Sequence, residues 1–156
     1  MPFASSSIID PKRVVETDPA CLKIVLGNLL SNAIRYHDFS HVAPYVSVTG
    51  QVENDVLHLE VQDNGQGIDP EVQPPIFEMF LRGNPGSKGS GLGVYIVSEV
   101  LAKVSGTIKV ESVPRKGTTF PGGHSAGLKT LHAAARTNSN LYSIFAVLWH
   151  SKTTIF

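Results

Sequence analysis

Apolar positions first recur at helical spacing between residues 18 and 36. Asp18-Pro19 fits an N-cap followed by proline at the first helical position. Leu22, Val25, Leu26, Leu29, Leu30, Ala33 and Ile34 then return every three or four residues to about Tyr36, which predicts an amphipathic helix. Two strand-like runs follow, Tyr45–Val52 and Val56–Gln62, joined by the turn-prone Glu53-Asn54-Asp55. In the second run Val56, His58, Glu60 and Gln62 alternate with Leu57, Leu59 and Val61, the two-residue period of a half-buried strand, so a hairpin is predicted. Asp69-Pro70 repeats the cap-plus-proline signal and predicts a short helix through Glu78. Residues 81–90 are rich in Gly, Ser and Pro and read as a loop. Helical spacing resumes from Leu92 to Val104 through Val94, Ile96, Val97, Val100 and Leu101, and Gly106 ends it. Thr107–Ser112 and Thr118–Phe120 read as two further strands. This order implies an α+β sandwich with helices on one face of a sheet.

At 156 residues the chain is expected to form one compact domain with a core that needs no disulfide or metal. Thirteen basic and thirteen acidic residues remove the broad basic field of a nucleic-acid binder. The single Cys21 excludes a disulfide framework and a multi-cysteine zinc site. No secretory signal opens the chain, and the longest nearly apolar stretch, Leu141–Trp149, is too short to span a bilayer. A soluble, cytoplasmic domain without direct membrane contact is expected. Neutrality hides a break, however. Residues 1–120 hold all 13 acidic residues against 10 basic ones, whereas residues 121–156 hold three basic and none acidic. The break falls at Phe120-Pro121-Gly122-Gly123, which divides the chain into a body, 1–120, and a tail, 121–156.

Three segments could carry chemistry. Asn28 and Asn32 lie four apart on the first helix and share a face, with Arg35 and Tyr36 one turn on. Amide oxygens are hard ligands that Mg²⁺ accepts when phosphates and water complete its shell; the competing explanation is two solvated amides on a polar face. Asp63-Asn64-Gly65-Gln66-Gly67-Ile68 directly follows a strand. Its glycines allow close backbone approach to a ligand, and an ionised Asp63 can accept from an exocyclic amine such as that of adenine. Taken alone, it also fits an ordinary tight turn. Gly89-Ser90-Gly91-Leu92-Gly93 runs from the loop into a helix, where free N–H groups suit phosphate, although it is neither a Walker A loop nor a dinucleotide fingerprint.

Jointly, with Pro75-Ile76-Phe77-Glu78-Met79-Phe80 between the last two, these segments resemble the ATP-binding catalytic domain of sensor histidine kinases. That domain is part of the wider GHKL ATPase superfamily of gyrase, Hsp90 and MutL. The resemblance runs from about Val14 to Phe120 through an N box (NLLSNAIRY), a G1 box (DNGQGI), an F box (PPIFEMF) and a G2 box (GSGLG). It implies a Bergerat-type two-layer sandwich, a mixed, mostly antiparallel sheet covered on one face by about three helices. It also implies ATP and Mg²⁺ as ligands.

By this resemblance Asn32 is the Mg²⁺-binding amide and Asn28 its neighbour, standing where related ATPases keep a catalytic Glu. An Asn there favours phosphotransfer to a protein over rapid hydrolysis. Arg35 is similar to the basic residue that contacts phosphates, and Tyr36 to the ring that flanks the nucleotide. Asp63 matches the residue that bonds the adenine amine, with Gly65, Gly67 and Ile68 shaping that pocket. Phe77 and Phe80 look like the F-box aromatics, Arg82 and Lys88 lie in the lid, and Gly89, Ser90, Gly91 and Gly93 would line the phosphates with Leu92 near the base. The implied activity is transfer of the γ-phosphate to a histidine on a separate dimerisation domain, and onward to a response regulator. A regulatory nucleotide-binding module without transfer, or a self-contained ATPase, are the alternatives.

The sequence departs from the family twice. His37-Asp38 lacks the Pro that a phosphoacceptor motif places a few positions later, and His41 is followed by Val42, so His37, His41 and His58 are read as surface or strand residues, and the chain alone is not expected to autophosphorylate. After Phe120, where the family's strand continues, Pro121-Gly122-Gly123 is expected to interrupt it. The tail, with Leu128, Leu131 and Ala134/Ala135 fitting a short helix and Leu141–Trp149 a strand, matches nothing in the family. It could replace the missing strand, pair with a second copy as a homodimer, or be sequence foreign to the domain. A membrane anchor, common among such sensors, would lie outside this chain.

Overall fold

The computed structural model describes residues 7–9, 18–38, 40, 43–54, 56–81 and 90–125. The tail's proposed helix and strand, His41, and the loop residues 82–89 lie outside them. Six strands, β1 (Ser7–Ile9), β2 (Val46–Glu53), β3 (Val56–Asp63), β4 (Thr107–Ile108), β5 (Glu111–Val113) and β6 (Gly117–Ser125), form one sheet. Its order is β1-β2-β3-β6-β4, with β5 also on β6. Only the β1–β2 pair is parallel, so the sheet is mixed and mostly antiparallel as expected. Strand β1, only three residues long, is too short to show a period in the sequence.

Helix α1 (Pro19–Arg35) starts where the sequence placed it, with Asp18 Oδ1 accepting from Ala20 N at 2.8 Å. Cys21, Leu22, Val25, Leu26, Leu29 and Ala33 form its buried stripe. Helix α2 (Gly93–Lys103) packs beside it through Val97 and Leu101. Leu26, Val61 and Val97 are the deepest side chains, joining both helices to the sheet. Each such side chain contributes about 1.5–3 kcal/mol by leaving water. The opposite face of β3, with His58 exposed, is the polar side that the alternation predicts.

Three expectations need correction. Residues 69–78 do not form a helix: turns cover 70–73, and only Pro74–Phe77 makes a single 3₁₀ turn. Two consecutive prolines, Pro74 and Pro75, supply no N–H for an α ladder, so the third helix reduces to that turn. The predicted strand 107–112 is broken at Lys109–Val110 into β4 and β5. Third, Pro121 does not interrupt β6, which continues to Ser125. The Pro121 carbonyl accepts from Lys109 N at 2.8 Å, so its backbone polar edge faces the gap between β4 and β5. The missing N–H therefore takes no bond from β3, to which Pro121 pairs opposite Glu60.

Candidate functional site

A cavity of about 760 Å³ opens between α1, the turn after β3, the start of α2 and the β5–β6 turn. Small-molecule sites commonly fall in the range of about 300–1,000 Å³. Asn28, Asn32 and Arg35 line it from α1 and Tyr36 from its C-cap, with Asp63 from the end of β3 and Gly67 and Ile68 from the turn after it. Ser90, Gly91, Leu92 and Gly93 complete the opposite wall. Three segments far apart in sequence thus meet around one space.

At one end the two asparagines converge. Asn28 Nδ2 donates to Ile24 O at 2.9 Å, which fixes the amide on its own helix and leaves Oδ1 without that duty. A methyl group built on Gly93 would lie 3.3 Å from Asn28 Oδ1 and 3.5 Å from Asn32 Nδ2. The first residue of α2 therefore sits over both amides, and a side chain there would press on Asn28 and touch Asn32. The first N–H groups of α2 have no intrahelical acceptor, and the helix dipole is positive at that end. Amide oxygens facing helix-terminal donors suit a phosphate chain together with a hard cation. Among the described residues no group of three or more His, Cys, Asp or Glu could hold a metal ion, so a cation here would share its shell with phosphate. The two amides fit Mg²⁺ in that role.

At the other end Asp63 closes β3. Its Oδ1 accepts from Gly65 N at 2.8 Å. Burial raises the Asp63 pKa above the ordinary carboxylate value, and hydrogen bonds from the Gly65 and Thr118 backbone partly offset this. The turn itself is tied down on two sides. Gln66 N donates to Tyr36 O at 2.9 Å and Gln66 Nε2 to His37 O at 3.1 Å, joining it to the end of α1. A methyl group at Gly65 would collide with the same Tyr36 carbonyl, so only glycine allows this approach. On the other side Ile68 N donates to Ser112 Oγ at 2.8 Å. Ser112 Oγ in turn donates to Gly117 O at 2.8 Å and lies 2.9 Å from Thr118 Oγ1. Gln73 Nε2 bridges Ile68 O and Ser112 O at 2.8 and 2.9 Å.

Not every predicted residue reaches the cavity wall. Gly65 is buried behind it, and Asn64 braces the turn through Tyr45 N and Ala43 O at 2.8 and 3.0 Å. Phe77 and Phe80 do not line the cavity, and Phe80 is 65% exposed. Arg82, Lys88 and Gly89 lie outside the described residues. Conversely, Ser31, Asp38, Gln66, Asp69, Ile76, Arg115, Thr118 and Phe120 line it without having been singled out. The pairing of Asp63 with Thr118 explains the last two: a register between β3 and β6 has no local signal in sequence. Alternation within Thr118-Thr119-Phe120 was the one available hint, since positions 118 and 120 share a face.

The family of histidine kinase-, DNA gyrase B- and HSP90-like ATPases matches residues 17–121, and this chain belongs to it. The relatives narrow the class. The chain is 34% identical over 122 residues to the sensor protein EvgS of Escherichia coli K12, covering 76% of this chain and 10% of that protein. It is 41% identical over 107 residues to the sensor-like histidine kinase SenX3 of Mycobacterium tuberculosis H37Rv, covering 66% of this chain and 25% of that protein. The chain thus spans a quarter or less of the length of these two relatives. Among solved structures, the mycobacterial sensor histidine kinase MprB is similar with a TM-score of 0.61 at 28% identity, covering 72% of this chain and 74% of that one. Full-length ShkA in complex with AMPPNP is similar with a TM-score of 0.66 at 26% identity, covering 83% of this chain and 26% of that one. The fold and family expected from the four boxes are those found. Among the described residues no helix is long and apolar enough to cross a membrane.

Proposed function

We propose that this chain is the ATP-binding catalytic domain of a two-component sensor histidine kinase, acting on a histidine in a separate dimerisation domain. The observation that carries the proposal is the single cavity with paired amides under Gly93 at one end and the Asp63 carboxylate at the other. Asp63 is an acceptor at the base end and suits the exocyclic amine of adenine. The first N–H groups of α2, with Ser90 and Gly91 beside them, suit the phosphates. Asn28 and Asn32 would hold Mg²⁺ against those phosphates, and the metal supplies neutralisation of the charge that develops on the transferred group.

In the transfer, the bond from the γ-phosphorus to the β–γ bridging oxygen breaks, and ADP leaves with that oxygen. A bond to the partner's imidazole nitrogen forms, and the imidazole proton departs to a base outside this chain. The residues of this chain bind and orient; none serves as a covalent nucleophile. Arg35 lines the same wall and can share the phosphate charge. Asn28 in the place of a carboxylate leaves no general base for water at that position, which favours transfer over free hydrolysis.

The division into a nucleotide-binding body, 1–120, and a separate tail, 121–156, belongs to this proposal, with the sheet itself running on to Ser125. So does work in the cytoplasm, with any membrane anchor outside this chain, and passage of the phosphoryl group to a response regulator. The test is incubation with γ-labelled ATP, alone and with a separately produced dimerisation domain of a sensor histidine kinase. Acid-labile, alkali-stable label is expected on the added domain and none on this chain. Stable label on this chain alone would contradict the proposal.

A further inference from the structure

Four non-glycine residues among those described have positive φ: Asn54, Phe80, Ser105 and Arg115. Only Arg115, at φ 62°, also lines the nucleotide cavity. It sits in the turn between β5 and β6, where a glycine would adopt the same backbone freely and a side chain with a Cβ strains it. Its N–H donates to Gln66 O at 2.7 Å, a bond that any residue could make. Among the described residues its guanidinium has no hydrogen-bond or ion-pair partner. A strained backbone in a binding wall, carrying an exposed guanidinium whose five donors meet only water, points to a ligand.

The position says which part of the ligand. The turn abuts the G1 segment: Gly67 approaches Val113 and Pro114 so closely that a methyl group there would strike their backbone. On the reading above, Asp63, four residues before Gly67, marks the base end, whereas the phosphate end is at Gly93, beside the Asn28 and Asn32 amides. A guanidinium plane stacks on aromatic rings and donates to ring nitrogens. Resting on the ATP-site reading above, we infer that Arg115 is a base-contacting residue that covers the purine ring of the nucleotide. It adds affinity through the base and not through the phosphates.

The test uses the full chain and three ligands, ATP, ADP and adenosine, titrated against wild type, Arg115→Gly and Arg115→Ala. Each variant is expected to bind all three about threefold to tenfold more weakly, by the same factor within error, as loss of a stacking cation predicts. Arg115→Gly is expected to melt no lower than wild type, because the backbone strain is relieved. Unchanged affinities in both variants would overturn the inference while leaving the ATP site standing. A loss confined to ATP and ADP would overturn it in favour of a phosphate contact. A lower melting temperature for Arg115→Gly would overturn it in favour of a structural turn residue. Failure of wild type to bind ATP would overturn the site reading and this inference together.

Discussion

A methyl group on Gly93 would stand 3.3 Å from Asn28 Oδ1, closer than a side chain ordinarily approaches an amide oxygen. The start of α2 and the middle of α1 thus meet at a point where the polar atoms face each other and not a packed core. Gly93→Ala should then separate binding from stability. Alanine is the better helix former, so the melting temperature should not fall. Pressing on the Asn28 amide should weaken Mg-ATP binding by about 1 kcal/mol, roughly fivefold. Paired thermal melts and titrations check this.

Asp63 predicts a pH dependence of the unliganded fold. Its pKa is raised in the fold by burial, so the native state holds the proton more tightly than the unfolded chain does. The stability it contributes is present below the ordinary carboxylate value of 3.8 and is lost as pH rises through the folded value. At neutral pH the ionised carboxylate therefore costs stability. Asp63→Asn keeps an acceptor for Gly65 N and removes the buried charge. It should melt higher than wild type at pH 7, and the gap should narrow below pH 4, while nucleotide binding is lost. Denaturation across pH 3–7 follows the difference.

Ser112 joins the G1 turn to the β5–β6 strands through one hydroxyl. Ser112→Ala leaves Ile68 N–H without its acceptor, a loss worth about 1–3 kcal/mol for a part-buried group. Urea denaturation should register that loss. Hydrogen exchange at the Ile68 amide should accelerate more than at amides of α1, and ATP binding should weaken because the turn beside Asp63 loosens.

Much of the site was legible because its parts are local. The cap at Asp18-Pro19, the four-residue spacing of Asn28 and Asn32 and the turn after β3 are each set by neighbours in sequence. Their assembly into one pocket came from the joint resemblance, not from any single segment. What escaped was non-local or stereochemical. Thr118 and Arg115 reach the cavity only because β6 pairs with β3 and the β5–β6 turn folds back over Gly67. Pro121 read as a breaker because its N–H is missing, yet the fold turns that edge toward a gap in the neighbouring strand. Asp69-Pro70 mimicked a helix start, and Pro74-Pro75 four residues later prevented the helix.

Calorimetric titration of the whole chain with ATP, with and without Mg²⁺, tests the central claim most directly when run beside Asn32→Ala. The account predicts saturable binding to wild type that Mg²⁺ strengthens, and a variant that still binds ATP but has lost most of the Mg²⁺ effect. Absence of saturable ATP binding by wild-type protein that melts cooperatively would contradict it, as would an Asn32→Ala variant with the full Mg²⁺ response.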